Sequence, residues 1–430
     1  MDYPQALAGL HALQRYGVQP GLSRIRELLR RLGDPQRGGP RYLHITGTNG
    51  KGSTAAMLAA MLQAAGRRTA LFTSPHLHHH CERYRMDGRP MPEADFAAIF
   101  SEVAAAIRNM TAEGWESPTE FEAATAVALL WFRRCQSEVA VIECGMGGAH
   151  DSTNVIDGEV AVITGVALDH MDFLGTTVAE IAAEKAGILR PGRPAVTAAS
   201  GEALTVIADA AQRQRVPLYV LGRDFNVYAE ECSLQGWRCT VETARQRYWG
   251  LQLPLLGAHQ LANAALAVQT AELAAVSGEA IRSGLAQTSW PGRLELISRQ
   301  PDILLDGAHN VQGMAALTAA LDRYWPGRRI CCLLGMLADK QREEALALLL
   351  PKIRRAVVTP PPLAARAGDW RQLAAICRQA GVPAEEEADG RRALALSRRW
   401  LEEGDCDLLL VCGSLYLIAE IRALLLGKEG

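Results

Sequence analysis

Lys51 is the first residue placed to do chemistry. It lies in Gly47-Thr48-Asn49-Gly50-Lys51-Gly52-Ser53, between the apolar run Tyr42 to Ile45 and an Ala- and Leu-rich stretch that starts at Thr54. The run reads as a buried strand and the stretch as a helix. A strand, a glycine turn and a helix make an anion cradle. Backbone N–H groups of the turn and of the helix N-terminus point at the anion, and the helix dipole favours it. Lys51 would reach the outer phosphate oxygens of a polyphosphate, and the Ser53 hydroxyl would ligate Mg²⁺. The match to G-x-x-x-x-G-K-[ST] is imperfect, because Ile45 stands where the first glycine belongs and Gly52 follows the lysine.

Further along, Val139 to Ile142 is an apolar strand that ends on Glu143 and runs into Gly145, Gly147 and Gly148. Such a carboxylate is either a solvated strand end or a metal ligand facing the phosphate loop, and the loop upstream favours the metal. Another strand, Ala161 to Val166, leads to Asp169-His170, and a helix over Val178–Leu189 carries Lys185. Three consecutive histidines, His78 to His80, have no cysteine or carboxylate partners at ligand spacing, so an exposed loop is expected there rather than a metal site. Lys51, Glu143 and His170 all fall just past strand ends, where open α/β sheets bind ligands.

The elements that must position these residues alternate strand and helix to about Leu221. That pattern implies a doubly wound parallel sheet. Residues 225–256 look like short antiparallel strands. Pro291-Gly292-Arg293-Leu294-Glu295 reads as a hinge, after which a second α/β pattern begins. The expected architecture is α/β: a P-loop, doubly wound domain over residues 1–295 and a smaller Rossmann-like α/β domain over 296–430. The 430 residues suffice for two domains. A net charge of −2 gives no basic bias, so nucleic-acid binding is not indicated. No apolar stretch is long enough to span a bilayer. The start, Met-Asp-Tyr-Pro-Gln, lacks a leader pattern. Ten cysteines without C-x-x-C, mostly in apolar strands, point to reduced core thiols and a cytoplasmic protein.

The set of motifs resembles the folylpolyglutamate synthase/dihydrofolate synthase branch of the Mur ligases. The resemblance rests on Gly47 to Ser53, Ser74-Pro-His-Leu, Gly145 to Asn154, Asp169-His170 with Glu184-Lys185, and His259-Gln-x-x-Asn263. Pro291-Gly-Arg293, Asp306-Gly-Ala-His309-Asn310 and Gly413-Ser-Leu-Tyr extend it through the C-terminal half. It implies an amide ligase with its site in a cleft between two domains. ATP would phosphorylate a folate or dihydropteroate carboxylate, and L-glutamate would attack the acyl phosphate. By position, Gly47, Thr48, Asn49, Gly50, Lys51, Gly52 and Ser53 would hold nucleotide, with Asn263, Arg293, Asp306 and His309. Ser53, Ser74, Glu143 and His170 would bind magnesium, two ions being expected. Lys51, His170 and Lys185 would be catalytic, Lys185 as a carbamylated lysine rather than an ordinary surface one. Gly21, Thr119, Phe121, Glu122, His150, Asp151 and Ser152 would face the folate, and Ser414 the glutamate. The expected protein is a monomer that takes small molecules and neither nucleic acid nor membrane.

One departure stands out. The family usually carries an Arg-containing segment where this chain has Ala149-His150-Asp151, which bears on substrate preference rather than on the ATP half. Two other readings compete: a Mur-type ligase acting on another acid, and a nucleotide-binding regulator without turnover. Only about 40 residues precede the loop, too few for the additional N-terminal domain of such Mur enzymes. The presence of Lys51, Glu143 and Lys185 argues against the regulator.

Overall fold

The computed structural model describes residues 1–17 and 19–427. They form two compact units. The first holds Met1–Glu230, Arg238–Leu253 and Leu261–Thr288; the second holds Glu231–Trp237, Pro254–Gln260 and Ser289 onward.

The first unit is built on an eight-stranded sheet. Its strands are β1 (Arg41–Thr46), β2 (Thr69–Phe72), β3 (Tyr84–Met86), β4 (Arg89–Pro90), β5 (Val139–Glu143), β6 (Gly158–Ile163), β7 (Ala195–Thr197) and β8 (Leu218–Val220). They lie in the order β4-β3-β2-β5-β1-β6-β7-β8. From β2 to β8 every pairing is parallel. Helices cover both faces of such a sheet, so β1 from Tyr42 onward and β5 are buried on both faces rather than alternating. All of β5 is buried, including Glu143.

The segment His78–Pro92 contains a helical turn and the hairpin β3–β4, which continues the sheet antiparallel from β2. Its turn is Asp87-Gly88 with φ of 49° and 77°. Asp-Gly in that conformation is a strong hairpin signal.

The histidines correct an expectation. His80 is buried, not exposed. It opens the short turn His80–Arg83, packs against Phe96, and its Nε2 meets the Tyr84 hydroxyl at 3.1 Å. Burial lowers the pKa of His44 to about 3, of His76 to about 4 and of His80 to about 2. An unfolded histidine titrates near 6.5. Between 6.5 and these folded values the unfolded chain binds protons that the folded chain refuses. Stability is therefore full above about pH 6.5 and falls with acidification, by about 1.4 kcal/mol per pH unit per histidine. Urea midpoints measured from pH 7 to 5 should fall, and the His80→Phe variant should show a shallower slope. An unchanged slope would contradict this account.

Crossover handedness fixes where the first sheet opens. The connection from β1 to β2 runs one way along the sheet, through the helix Lys51–Ala64. That from β6 to β7 runs the other way, through the helix Val178–Ala186. Right-handed crossovers then put these helices on opposite faces. The adjacent strands β1 and β6 flank a switch point, and the crevice lies past their carboxyl ends.

A three-stranded antiparallel sheet follows: β9 (Asn226–Ser233), β10 (Gly236–Glu242) and β11 (Arg247–Leu253). The second unit carries β12 (Glu295–Ser298), β13 (Asp302–Asp306), β14 (Ile330–Leu334), β15 (Ile353–Val358), β16 (Ala384–Glu386) and β17 (Leu408–Cys412). Their order is β12-β13-β17-β14-β15-β16, parallel except for β12. The chain steps from β13 to β16 in one direction and returns to β17. The same handedness rule sets the helices after β13 and before β17 on opposite faces, and opens a crevice at the ends of β13 and β17.

Two of the cysteines stand close together: Cys331 of β14 and Cys406 have Cα atoms 5.9 Å apart. Cys406 precedes β17, which runs beside β14, and parallel neighbours bring Cα atoms to bridging distance.

Candidate active site

The switch point of the first unit holds the predicted chemistry. Gly47, Thr48 and Lys51 line one small pocket with Gly145, Met146 and Gly147, Asp169 and His170, and Lys185. They come from four places: the loops past β1, β5 and β6, and the helix Val178–Ala186.

The loop after β1 is tied to the loop after β6. Thr48 N–H donates to the Gly165 carbonyl at 2.8 Å. The Thr48 hydroxyl accepts from Ala167 N–H at 3.0 Å and donates to the Ala167 carbonyl at 3.1 Å. The Thr164 hydroxyl donates to the Asn49 carbonyl at 2.7 Å. Thr164 is not among the sequence candidates; a polar residue at the end of an apolar strand, directly before Gly165, is the signal that points to it. Gly50 sits at φ +87° as the cap of the helix Lys51–Ala64, and a Cβ on it would meet Asn263 Oδ1 at 2.4 Å. Only glycine fits that conformation beside that amide. The same contact brings the predicted Asn263 to the loop. Lys51 Nζ folds back to donate to the carbonyls of Gly47 at 3.0 Å and Thr48 at 3.2 Å. The ammonium is thus held over the cradle. Ser53 is buried in the first turn of the helix.

Glu143, 4 % exposed, accepts from Ser74 N–H at 3.1 Å. It is the Ser74 backbone that meets this carboxylate. Among the described residues no group of three or more His, Cys, Asp or Glu forms a metal cluster. Mg²⁺ does not require one: it is held by one or two carboxylates with waters and substrate phosphates. The Ser53 hydroxyl and the buried Glu143 carboxylate are oxygen donors of that kind, whereas the His170 imidazole, which lines the pocket, is not one that Mg²⁺ prefers. His170 stands at φ 52° and starts a one-turn helix.

Lys185 is 2 % exposed. Burial lowers its pKa to about 7, and the Lys51 charge adds to the shift. A buried amine that is largely neutral at physiological pH is what carbamylation by CO₂ needs.

The residues expected to face substrate form the wall beside this pocket. The Phe121 ring packs on Gly145 and stacks with Phe72 at 5.9 Å. Thr119 and Glu122 make a capping box on the helix Glu120–Arg134, at 3.2 and 2.7 Å. Glu122, buried, also takes Arg24 Nε at 3.2 Å. Ser152 Oγ meets Thr125 Oγ1 at 2.7 Å. Asp151 turns inward: Oδ2 accepts Met146 N–H at 2.9 Å and Oδ1 accepts Thr153 N–H at 2.9 Å, while burial pushes its carboxyl pKa up. These four side chains build the wall, whereas the half-buried Phe121 and the exposed His150 present accessible surface. Gly21 precedes Ser23 and Arg24, which line a cavity of about 320 Å³ with residues 113–116.

In the second unit, Arg293, Asp306, His309 and Ser414 gather at the crevice of β13 and β17. Gly413 N–H donates to the Ala308 carbonyl at 3.1 Å. Asp306 accepts from Leu294 N–H and Ala308 N–H, each at 2.8 Å. Burial raises the Asp306 carboxyl pKa and lowers that of the nearby His259. A Cβ on Gly307 would lie 2.7 Å from Arg293 Nη1. His309 Nδ1 donates to the Gly307 carbonyl at 2.7 Å, and Ser414 caps the final helix through Tyr416 N–H at 3.2 Å.

Comparison with known proteins agrees with this arrangement. Residues 45–271 match the Mur ligase middle domain, and residues 292–415 match the Mur ligase glutamate ligase domain. The chain is 36 % identical over 431 residues to the dihydrofolate synthase/folylpolyglutamate synthase of Bacillus subtilis, covering 98 % of each. It is 38 % identical to the folylpolyglutamate synthase of Lacticaseibacillus casei, covering 100 % of both. A solved structure of E. coli FolC in complex with DHPP and ADP superposes with a TM-score of 0.88 at 30 % identity, covering 99 % of this chain and 98 % of that one. Phosphate cradle, crevices and full-length similarity together place the chain in the Mur ligase family, among its folylpolyglutamate synthases and dihydrofolate synthases.

Proposed function

We propose that the protein is an ATP-dependent ligase that joins L-glutamate to a folate carboxylate. A carboxylate oxygen attacks the γ-phosphorus of ATP and ADP leaves. The glutamate amine then attacks the acyl carbon, phosphate leaves with the C–O bond electrons, and the amine gives up a proton. The convergence of Lys51, His170 and Lys185 on one pocket walled by two glycine turns carries this reading. Oriented N–H groups and a fixed cation there face charge that would otherwise need bulk water.

Gly47 to Ser53 cradle the phosphates, and Lys51 neutralises the transferred group. Ser53, Glu143 and His170, with Ser74, are the proposed holders of Mg²⁺, which when bound screens the phosphate oxygens. Lys185 is proposed to carry a carbamate, an anion suited to a site beside that cation. Asn263, Arg293, Asp306 and His309 are the proposed nucleotide contacts. The folate is assigned to Gly21, Phe121, His150 and the wall of Thr119, Glu122, Asp151 and Ser152, and the glutamate to Ser414. A cytoplasmic monomer is the proposed setting. Among the described residues no helix is long and apolar enough to cross a membrane.

Phosphate release with MgATP and L-glutamate tests the reading, comparing dihydropteroate with tetrahydrofolate. Turnover that requires nucleotide, pterin acid and amino acid together is expected. Turnover with both acids would make the enzyme bifunctional; tetrahydrofolate alone would make it a polyglutamylating enzyme. Nucleotide binding without turnover on either acid would overturn the substrate assignment.

A further inference from the structure

The turn Gly147–His150 forms part of the pocket wall and rests on the helix Val178–Ala186 with no side chain of its own glycines between them. A Cβ on Gly148 would lie 2.8 Å from the Glu184 carbonyl oxygen and 3.0 Å from Lys185 Cα. From the other side, a Cβ on Gly187 would lie 2.3 Å from Ala149 Cβ. Backbone meets backbone, so the turn and the helix cannot shift independently.

Glu184 fastens this contact. Its Oε1 accepts the N–H of His150 at 2.9 Å and of Gly148 at 3.4 Å, and its Oε2 meets His150 Nδ1 at 2.9 Å. Its own carbonyl accepts Ala149 N–H at 2.8 Å. The Glu184 side chain is 17 % exposed while His150 faces solvent, so charge-assisted bonds tie an exposed turn to a mostly buried carboxylate. Arg190 secures the far end: Nη2 donates to Asn154 Oδ1 at 2.7 Å and to the Ile156 carbonyl at 3.0 Å. Asn154 in turn donates to the Ala149 carbonyl at 3.0 Å.

We propose that Glu184 is a positioning residue: it locks the Gly147–His150 turn onto the helix that carries Lys185, and so sets the pocket wall that Lys185 shares with Gly145, Met146 and Gly147. The part this plays in turnover rests on the ligase reading above; the lock itself does not. The chemistry requires it because reacting groups held to within an ångström account for large rate factors. Glu184→Ala removes the acceptor for two amides and the imidazole. Glu184→Gln keeps a carbonyl acceptor for the amides and loses the charge.

The test uses the full chain as wild type, Glu184→Ala and Glu184→Gln. Amide hydrogen exchange is followed across 147–150, and kcat and KM for ATP are measured. In Glu184→Ala, exchange at residues 148–150 should rise about tenfold or more while the strands stay protected. Its kcat should fall on the order of 10- to 100-fold, with KM for ATP within about threefold. Glu184→Gln should recover most of both. Unchanged exchange in Glu184→Ala, or kcat within twofold of wild type, would overturn the proposal. A wild-type protein inactive on folates would sink the ligase reading alone, and the exchange data would still decide the lock. If Glu184→Ala does not fold, His150→Ala is read instead, with raised exchange at residues 148–150 expected and wild-type exchange as the refuting result.

Discussion

Lys51→Ala should lower ligation by on the order of 10³-fold while leaving the fold intact. The expectation follows from what Lys51 does and does not hold. Its Nζ donates to two carbonyls of its own loop, Gly47 and Thr48, and the residue is half-buried. Those carbonyls can turn to water when the ammonium is gone, so the cost in stability is small. The helix behind it starts at Gly50 and is anchored by buried Ala55, Met57, Leu58 and Leu62, none of which depends on the lysine. The phosphate, in contrast, loses the cation held over its cradle in a small, water-poor pocket. Removing a single preorganised donor in such a site costs roughly 10²- to 10³-fold, and a full charge stands at the upper end. Phosphate release and thermal unfolding on the same sample decide the matter. Activity within tenfold of wild type, at unchanged stability, would mean that Gly47–Ser53 is not the phosphate cradle.

Much of this site is legible in the amino-acid sequence because parallel sheets announce themselves. The runs 139–142 and 330–334 are continuously apolar, and 42–45 is apolar but for His44; the first and the last of these lead into a glutamate and a glycine turn. Glycine after β1, glutamate at the end of β5 and Asp169-His170 after β6 mark the carboxyl ends, and topology forces these ends together. What stays hidden depends on tertiary contacts. A polar residue at the end of an apolar strand marks Thr164 as worth attention, but only the fold shows that its hydroxyl reaches the Asn49 carbonyl of the phosphate loop. The family resemblance puts Asp151 and Glu122 on the folate side. The fold uses their carboxylates to satisfy backbone and guanidinium groups. His80 reads as loop because a run of three histidines is polar; its burial depends on Phe96 and Tyr84, which lie outside the run. The hairpin β3–β4 is signalled by Asp87-Gly88, but its strands are short and set among polar residues.

Lys185→Ala should abolish turnover as completely as Lys51→Ala, yet for a different reason and with a different signature. Lys185 is buried beside another cation, and its pKa of about 7 means that near-neutral pH leaves much of it as free amine. An ordinary lysine near 10.4 would be almost wholly protonated there and unreactive toward CO₂. The neutral amine can add to CO₂: an N–C bond forms, a proton goes to solvent, and a cation site becomes an anion site. The linkage sign follows from the lowered value. Between about 7 and 10.5 the unfolded chain binds a proton that the folded chain gives up, so the buried amine destabilises the fold at neutral pH and the effect fades as pH rises to 10.5. Removing it should therefore leave the variant no less stable than wild type at pH 7. Loss of activity without loss of stability separates a chemical role from a structural one. Three measurements complete the case. Wild-type turnover should fall in bicarbonate-free buffer below pH 7, where protonation withdraws the amine, and recover on adding bicarbonate. Short carboxylates such as acetate should restore part of the Lys185→Ala activity by supplying the missing anion. Isotope-labelled bicarbonate should give a carbamate resonance in wild type that the variant lacks. A bare Lys185 under saturating bicarbonate, in an enzyme that still turns over, would leave a neutral amine as the working group and rule the carbamate out.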